Sequence, residues 1–349
     1  MTATSVFLYE FVTGGGCWSL TNPQPPSGTL LTEGTAMLQS LAYDLLAIGN
    51  LELHVLADAR LAPFWPEGCW AHEVNGGQDE RRLLLSLAKN CDMTLVIAPE
   101  FDELLLSRCQ WATSVGGTLM TPHDKFVALA ANKQKLADHL HAAGLPVPRS
   151  VALHNGEPLP HDFPFPAVLK PIDGAGSIAV HLVRNASELT EFRSSRKPWR
   201  LEAFQPGTPA SVAVLCGSRQ NLVLLPGEQL LTKDGQFRYL GGTWPLALGH
   251  QERAATLATR VAMALPATCG YIGIDFVLGP AGDGSEDVVI EVNPRLTTSY
   301  LGLRQLARTN LAAAMLRVAE GLPVTVTWQD RAFTYHVAEL SRGVQPCIG

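Results

Sequence analysis

The pattern of apolar and polar positions divides the chain into two parts with different element content. In roughly the first 120 residues, short apolar runs typical of buried parallel strands alternate with stretches of helical periodicity. The predicted elements are strands at Ser5–Phe11, Leu51–Leu56 and Met93–Ala98 and helices at Leu38–Ile48, Glu80–Ala88 and Glu103–Ser114. This alternation predicts a doubly wound sheet, in which ligands bind beyond the carboxyl ends of the strands. We therefore expect the loops after Phe11 and Ala98 to border a site.

The second part begins with one helix predicted from Asp124 to His141, which Gly144 and a proline-rich linker end. Strands dominate after this linker. The predicted strands are Ala167–Pro171, Ile178–Val183, Arg200–Phe204, Ser211–Cys216, Leu222–Leu225, Tyr271–Leu278 and Val288–Asn293, and the predicted helices are Gln251–Leu265 and Leu311–Glu320. No element is predicted in the polar, glycine-containing segment around Tyr239–Thr243.

Composition and charge narrow the classes of partner. Hydrophobic residues make up 46% of the 349 residues and charged residues 17%, which supplies large buried cores. The net charge of −6 gives no basic footprint, so we expect neither nucleic acid nor a membrane surface as the partner. No apolar run reaches the ~18 residues of a membrane helix, and the first residues do not resemble a signal peptide. Seven scattered cysteines without a C-x-x-C pair agree with a cytoplasmic protein.

The glycine triplet Gly14–Gly16 follows the first strand, as a dinucleotide-binding loop would. The G-x-G-x-x-G pattern fails, however, because the position three residues past Gly16 is Ser19. A tight turn or a substrate loop fits these residues better. A dehydrogenase function would rest on this triplet alone.

Three oxygen-bearing side chains fall on the last two predicted strands. Glu291 and Asn293 are two residues apart and so share a face, and the loop before them folds the strand of Asp275 alongside. Two carboxylates and an amide oxygen suit Mg²⁺. The alternative is an exposed sheet face with ordinary acids. Both acids have apolar neighbours, and a buried carboxylate is costly unless it is paired or metal-bound, which favours the metal site.

Lys170 ends an apolar strand and precedes the glycine loop Asp173–Ser177. Successive backbone N–H groups in such a loop form an anion-binding concavity, and the lysine adds a point charge. The alternative is an ordinary hairpin turn with a solvent-reaching lysine, because glycine-rich turns are common.

Taken together, these motifs resemble the ATP-grasp superfamily of carboxylate–amine ligases. The matching stretches are NKQKLADHLHAAGLPVP (132–148), VLKPIDGAGS (168–177), LEAFQPG (201–207), GIDFVL (273–278) and IEVNPR (290–295). The resemblance implies an α/β (α+β) protein with an ATP-grasp fold and an N-terminal Rossmann-like pre-ATP-grasp domain. The implied parts are that domain at 1–120, a small lobe with the glycine loop at 121–200, a large lobe with the metal site at 201–325 and a C-terminal segment at 326–349.

The resemblance also assigns site residues. For ATP, the resemblance implies that Lys133 and Lys170 bind the phosphates, that a loop of Gly174, Gly176 and Ser177 covers them, and that the backbone of Glu202, Ala203, Phe204 and Gln205 contacts the adenine. For the metal, it implies that Asp275, Glu291 and Asn293 bind Mg²⁺ (or Mn²⁺). Arg295 is implied to neutralise negative charge. Lys170 and Arg295 are the implied catalytic residues. One position departs from the family pattern: Pro209 stands where many members place a ribose-binding acid.

The implied reaction is ATP-dependent amide formation through an acyl phosphate, in which positioning and charge neutralisation carry the catalysis.

Four further stretches are similar to the tyramine–glutamate ligase branch: YEFVTGGG (9–16), VIAPEFD (96–102), YLGGTWP (239–245) and EVNPRLTTSY (291–300). That branch implies a glutamyl amide made on an aromatic amine, near one-carbon cofactor (methanofuran-like) biosynthesis. It makes Glu10, Thr13 and Glu100 candidate substrate-side groups, although each also fits a strand-end or helix-capping role. An ATP-binding protein or nucleotide sensor without ligase activity is the alternative function.

Overall fold

A computed structural model describes residues 3–21, 23–153, 159–174, 178–193 and 198–342 of the chain. None of the helices in these ranges has the length and apolar character needed to cross a membrane.

The N-terminal part is a parallel four-stranded sheet with helices on both faces. Its elements are β1 (Thr4–Glu10), α1 (Trp18–Thr21), α2 (Thr29–Leu46), β2 (Leu51–Asp58), β3 (Cys69–Val74), α3 (Gly77–Asn90), β4 (Met93–Ile97) and α4 (Leu104–Ser114). The strand order is β3-β2-β1-β4, with all three pairings parallel. Alternate residues of β1 point to opposite faces of the sheet. Val6 and Leu8 pack in a hydrophobic core with residues of α2, whereas Phe7 and Tyr9 pack in a second core with residues of α3 and α4. The doubly wound prediction is therefore confirmed, although β3 was not predicted.

Two short helices connect this sheet to the rest of the chain, and here the prediction of one continuous helix is wrong. The helices are α5 (Asp124–Ala131) and α6 (Lys133–Ala142). Asn132 between them adopts an extended conformation (φ −97°, ψ 98°), and its side chain accepts a hydrogen bond from the N–H of Lys135 at 3.0 Å. Asn132 thus caps a new helix, which puts Lys133 in its first turn.

A small antiparallel sheet follows. Its elements are β5 (Ser150–Leu153), β6 (Ala167–Pro171), β7 (His181–Val183), α7 (Thr190–Arg193) and β8 (Trp199–Ala203). The order β5-β8-β6-β7 places β6 directly beside β8. The strand predicted at Ile178–Val183 begins only at His181.

The third sheet is larger, and the pairings described between its strands are antiparallel. Its strands and the flanking helices are β9 (Thr208–Cys216), β10 (Asn221–Val223), β11 (Gly227–Leu231), β12 (Tyr239–Trp244), α8 (Leu248–Ala264), β13 (Gly270–Leu278), β14 (Val288–Asn293), α9 (Ser299–Leu306), α10 (Leu311–Ala319) and β15 (Phe333–His336). The order is β14-β13-β9-β11-β12-β15, with β10 on β9. The polar stretch between the predicted strand Leu222–Leu225 and the predicted helix Gln251–Leu265 thus supplies two strands that were not predicted, β11 and β12. Its glycines are structural, because a Cβ at Gly227 or Gly242 would overlap the buried Trp244 indole.

A buried polar network joins the N-terminal sheet to the C-terminal helices. Asp44 on α2 accepts hydrogen bonds from Tyr300 Oη at 2.6 Å and from Arg304 Nε and Nη2 at 3.0 and 2.6 Å. Its backbone carbonyl accepts from Asn310 Nδ2 at 2.7 Å. Both Asp44 and Arg304 are buried, so this ion pair fixes the N-terminal sheet against α9.

We predict that Asp44→Ala destabilises the protein by about 3–5 kcal/mol, because it leaves the charge of Arg304 buried without its carboxylate. Urea unfolding measures this loss. The control Glu320→Ala removes an exposed carboxylate at the end of α10 and should change stability by less than about 0.5 kcal/mol. Equal effects of the two changes would contradict the structural role of Asp44.

Candidate active site

Lys133 joins three segments of the chain through one ammonium group. Its Nζ donates a hydrogen bond to the Gly174 carbonyl at 2.7 Å and lies 2.8 Å from Glu291 Oε2. Burial disfavours the charged form, but the neighbouring carboxylates, Glu291 first, outweigh burial and raise the pKa of Lys133. Lys133 is therefore a cation held between the start of the glycine loop and β14.

Lys170 lies in a second buried ion pair, between the adjacent strands β6 and β8. Its Nζ is 2.7 Å from Glu202 Oε1, and the other oxygen of Glu202 accepts from Arg200 Nε at 3.2 Å. Arg200 in turn donates to the Lys133 carbonyl at 2.6 Å. Burial, with the charges of Arg200 and Lys133, lowers the pKa of Lys170, and the charge of Glu202 opposes this shift. The predicted phosphate-binding lysines are thus neighbours in one network.

Asp275, Glu291 and Asn293 come together on one face, as strand alternation predicts. Asp275 and Glu291 stand opposite each other in the antiparallel pair β13–β14. The Asp275 carboxylate accepts from Asn293 Nδ2 at 3.1 Å and from Gln229 Nε2 at 3.1 Å. Gln229 lies on β11, which was not predicted, so this partner was missed.

The pKa values of the two carboxylates, Asp275 and Glu291, shift in opposite directions. Burial, and then the charge of Glu291, raises the pKa of Asp275 to about 7. Burial acts in the same direction on Glu291, but the nearby cations Lys133, Lys170 and Arg295 outweigh it and lower the pKa of Glu291. Within the described residues, the nearby cations Lys133, Lys170 and Arg295 form their ion pairs with Glu291, Glu202 and Glu100 rather than with Asp275.

This set of donors fits a hard divalent ion. Carboxylate and amide oxygens are the protein ligands that Mg²⁺ prefers, and a cation beside Asp275 would offset the burial of its charge. Across the described ranges of the chain, no group of three or more His, Cys, Asp or Glu residues is arranged to hold a metal. A metal at Asp275, Glu291 and Asn293 would therefore take its remaining ligands from phosphate oxygens and water, as Mg²⁺ commonly does.

Arg295 connects the third sheet to the N-terminal sheet. Its Nε lies 2.9 Å from Glu100 Oε1, and its Nη2 donates to Glu100 Oε2 at 3.1 Å. Glu100 follows β4, so the loop after Ala98 borders these charged residues as expected. Burial disfavours the charged form, but Glu100 and then Glu291 outweigh burial and raise the pKa of Arg295.

The other N-terminal candidates have local partners. The Glu10 carboxylate accepts from the N–H groups of Val12 at 3.2 Å and Thr13 at 2.8 Å and from the Thr13 hydroxyl at 2.7 Å. These bonds match the strand-end role. The glycine triplet forms tight turns closed by hydrogen bonds from Gly14 to the Glu10 carbonyl and from Gly16 to the Phe11 carbonyl.

The segment predicted to read adenine has part of its backbone already engaged. The N–H groups of Ala203 and Phe204 donate to the carbonyls of Arg149 at 2.8 Å and Pro166 at 3.1 Å. Adenine contacts would therefore come from the carbonyls of this segment and from Gln205. Two predicted loop residues, Gly176 and Ser177, lie outside the described residues. Pro209 lies in β9, opposite Val277.

Comparison with known families identifies the architecture. A pre-ATP-grasp domain model (pre ATP-grasp 3) matches residues 51–126, and an ATP-grasp domain model matches residues 130–299. The chain therefore carries a pre-ATP-grasp domain followed by an ATP-grasp domain. The chain belongs to the ATP-grasp superfamily.

Two sequence relatives and one solved structure show what this chain is similar to. A stretch of 193 residues, 50% of this chain, is 32% identical to an uncharacterised protein of Sinorhizobium fredii and spans 38% of that protein's length. Tyramine–L-glutamate ligase of Methanocaldococcus fervens is 22% identical over 308 residues, 87% of this chain and 93% of that enzyme. The crystal structure of an ATP-grasp superfamily protein from Archaeoglobus fulgidus shares the fold with a TM-score of 0.70 at 20% identity, covering 95% of this chain and 91% of that one.

We predict that Glu202→Gln makes ATP affinity more sensitive to alkaline pH. In the phosphate-binding role that the resemblance implies for Lys170, the ammonium form attracts the phosphates of ATP, so affinity should fall as pH rises through the pKa of Lys170. Because Glu202 raises this pKa, its removal shifts the loss of affinity to lower pH. At pH values between the pKa of Lys170 in the variant and that in the wild type, ATP should bind about tenfold more weakly to the variant.

Calorimetric ATP titrations over neutral to alkaline pH measure the shift. The matched control is Asp162→Asn, which removes the carboxylate of an exposed ion pair with Arg149 and should leave the pH profile unchanged. Superimposable profiles for Glu202→Gln and the wild type would contradict the electrostatic role of Glu202.

Proposed function

We propose that this protein is an ATP-dependent carboxylate–amine ligase. The observation that carries the proposal is the array in which Lys133 bridges the Gly174 carbonyl and Glu291, with Asp275 opposite Glu291. In this array an ammonium group lies beside two carboxylates, which supports a site that binds phosphate and a divalent ion together. Transfer of a phosphoryl group needs both kinds of charge at one place, because negative charge spreads over the transferred oxygens.

In the proposed site, Lys133 and Lys170 hold the phosphates of ATP, and Asp275, Glu291 and Asn293 hold Mg²⁺ or Mn²⁺. A bound divalent ion would neutralise charge on the phosphates and orient them. The ion pairs of the two lysines with Glu291 and Glu202 keep both cations in place before nucleotide binds. Phosphate oxygens then compete with these carboxylates for the ammonium groups.

The proposed reaction has two steps. A substrate carboxylate oxygen attacks the γ-phosphorus of ATP, the bond to the β-phosphate oxygen breaks, and ADP leaves. The amine nitrogen then attacks the acyl carbon, phosphate leaves with the former carboxylate oxygen, and the nitrogen loses a proton. Arg295 attracts negative charge in both steps, and Glu100 fixes the direction of its guanidinium group through the two contacts described above.

The proposed substrates are glutamate and an aromatic amine, because the chain is similar over 308 residues to tyramine–L-glutamate ligase. The product would be a glutamyl amide of the kind used in methanofuran-like cofactors. At 22% identity this similarity supports a substrate class rather than one amine, so the amine is best found by screening.

We predict that Glu291→Gln lowers ligase turnover at least about a hundredfold, because it removes one charge from the metal ligands and leaves Lys133 without its carboxylate. The assay measures ADP release with glutamate and a panel of amines, and mass spectrometry detects the amide. The control Glu252→Gln changes an exposed carboxylate on α8 and should retain full turnover.

Unfolding transitions of both variants establish that the fold is kept. ADP release by Glu291→Gln at the wild-type rate would contradict the metal assignment. ATP binding by the wild type without ADP release or amide formation, for any amine in the panel, would instead favour a nucleotide sensor.

A further inference from the structure

Two histidines at the far edge of the N-terminal sheet form a close pair that the proposed ligase reaction does not use. His54 lies on β2 and His72 on β3, at the opposite edge of the sheet from β4. In the parallel register His54 stands beside Trp70, and His72 follows two residues later, so all three side chains share one face. His54 and His72 are half-buried, and Trp70 is 62% exposed.

The ring nitrogens of the pair face each other. His54 Nδ1 is 3.0 Å from His72 Nε2, and the ring centroids are 5.3 Å apart. A metal ion binds imidazole nitrogen at about 2.0–2.1 Å, so two nitrogens on one ion at octahedral or tetrahedral angles are about 2.9–3.4 Å apart. The observed separation lies inside this range. Binding one ion would require both rings to rotate away from their mutual hydrogen bond so that both lone pairs point to the ion.

The charge state of the pair also suits a metal. Metal binding requires the neutral imidazole form. Burial lowers the pKa of both rings, and the charge of His54 lowers the pKa of His72 further. The exposed Glu52 lies two residues before His54 on the same strand face, and its negative charge attracts cations to this position.

We propose that His54 and His72 form a binding site for a divalent transition-metal ion of the Zn²⁺, Ni²⁺ or Cu²⁺ class. Imidazole nitrogen favours these ions, whereas the acids of the proposed active site favour Mg²⁺. With two protein ligands, the other coordination positions are open to water or to a group from a bound molecule. The site is independent of the ligase proposal.

Metal titration of tag-free protein in excess Mg²⁺, which occupies hard oxygen sites, tests this inference. We expect Ni²⁺ to bind with a stoichiometry of one and to bind at least about tenfold more weakly to His54→Gln and to His72→Gln. The control His141→Gln removes an exposed histidine on α6 and should leave the affinity unchanged.

Tryptophan fluorescence provides a second readout. The Trp70 ring lies 6.5 Å from that of His54, so bound Cu²⁺ should quench its emission. We expect Trp70→Phe to remove most of the saturable quenching while Ni²⁺ still binds by calorimetry. Wild-type affinity in both histidine variants, or an equal loss in His141→Gln, would overturn the site and leave the pair as a hydrogen bond between neutral rings.

Discussion

The structure depends on holding the ammonium group of Lys133 between a carbonyl and a carboxylate from distant parts of the chain. Gly174 lies in the loop after β6 and Glu291 lies on β14, and each is within 2.8 Å of this one nitrogen. A buried ammonium is costly without such partners. The same cation lowers the pKa of Glu291 and so favours its ionised form beside Asp275. The position of α6 is thereby tied to both the phosphate side and the metal side of the proposed site.

Much of the fold could be predicted from sequence because its periodicities are strong. The parallel sheet follows from apolar strands that alternate with amphipathic helices, and β6 has its predicted bounds, Ala167–Pro171. The errors fall at polar residues and glycines whose role depends on particular contacts. Asn132 ends one helix and caps the next with its side chain, and the strand β12 contains Gly242 because a Cβ there would overlap the Trp244 indole. Neither cause is visible in hydrophobic periodicity.

For the candidate site, the residues that share a face could be predicted from sequence, but their partners could not. Asp275, Glu291 and Asn293 share a face because strand side chains alternate, so local spacing was sufficient. The partners of these groups depend on strand order, which spacing does not reveal. The ion pair of Glu202 with Lys170 is of this kind, since the resemblance to ATP-grasp proteins pointed only to backbone contacts for Glu202. The Glu202 carboxylate opposes the effect of burial, which lowers the pKa of Lys170.

The central claim is that the buried charges activate a carboxylate by phosphoryl transfer from ATP. The most direct measurement uses glutamate labelled with ¹⁸O in its carboxylates, together with ATP and an amine that supports ADP release. Mass spectrometry of the released inorganic phosphate then follows the oxygen. The account predicts that each phosphate carries one ¹⁸O atom from glutamate, because the acyl–oxygen bond breaks when the amine attacks. Unlabelled phosphate formed alongside the amide would contradict it.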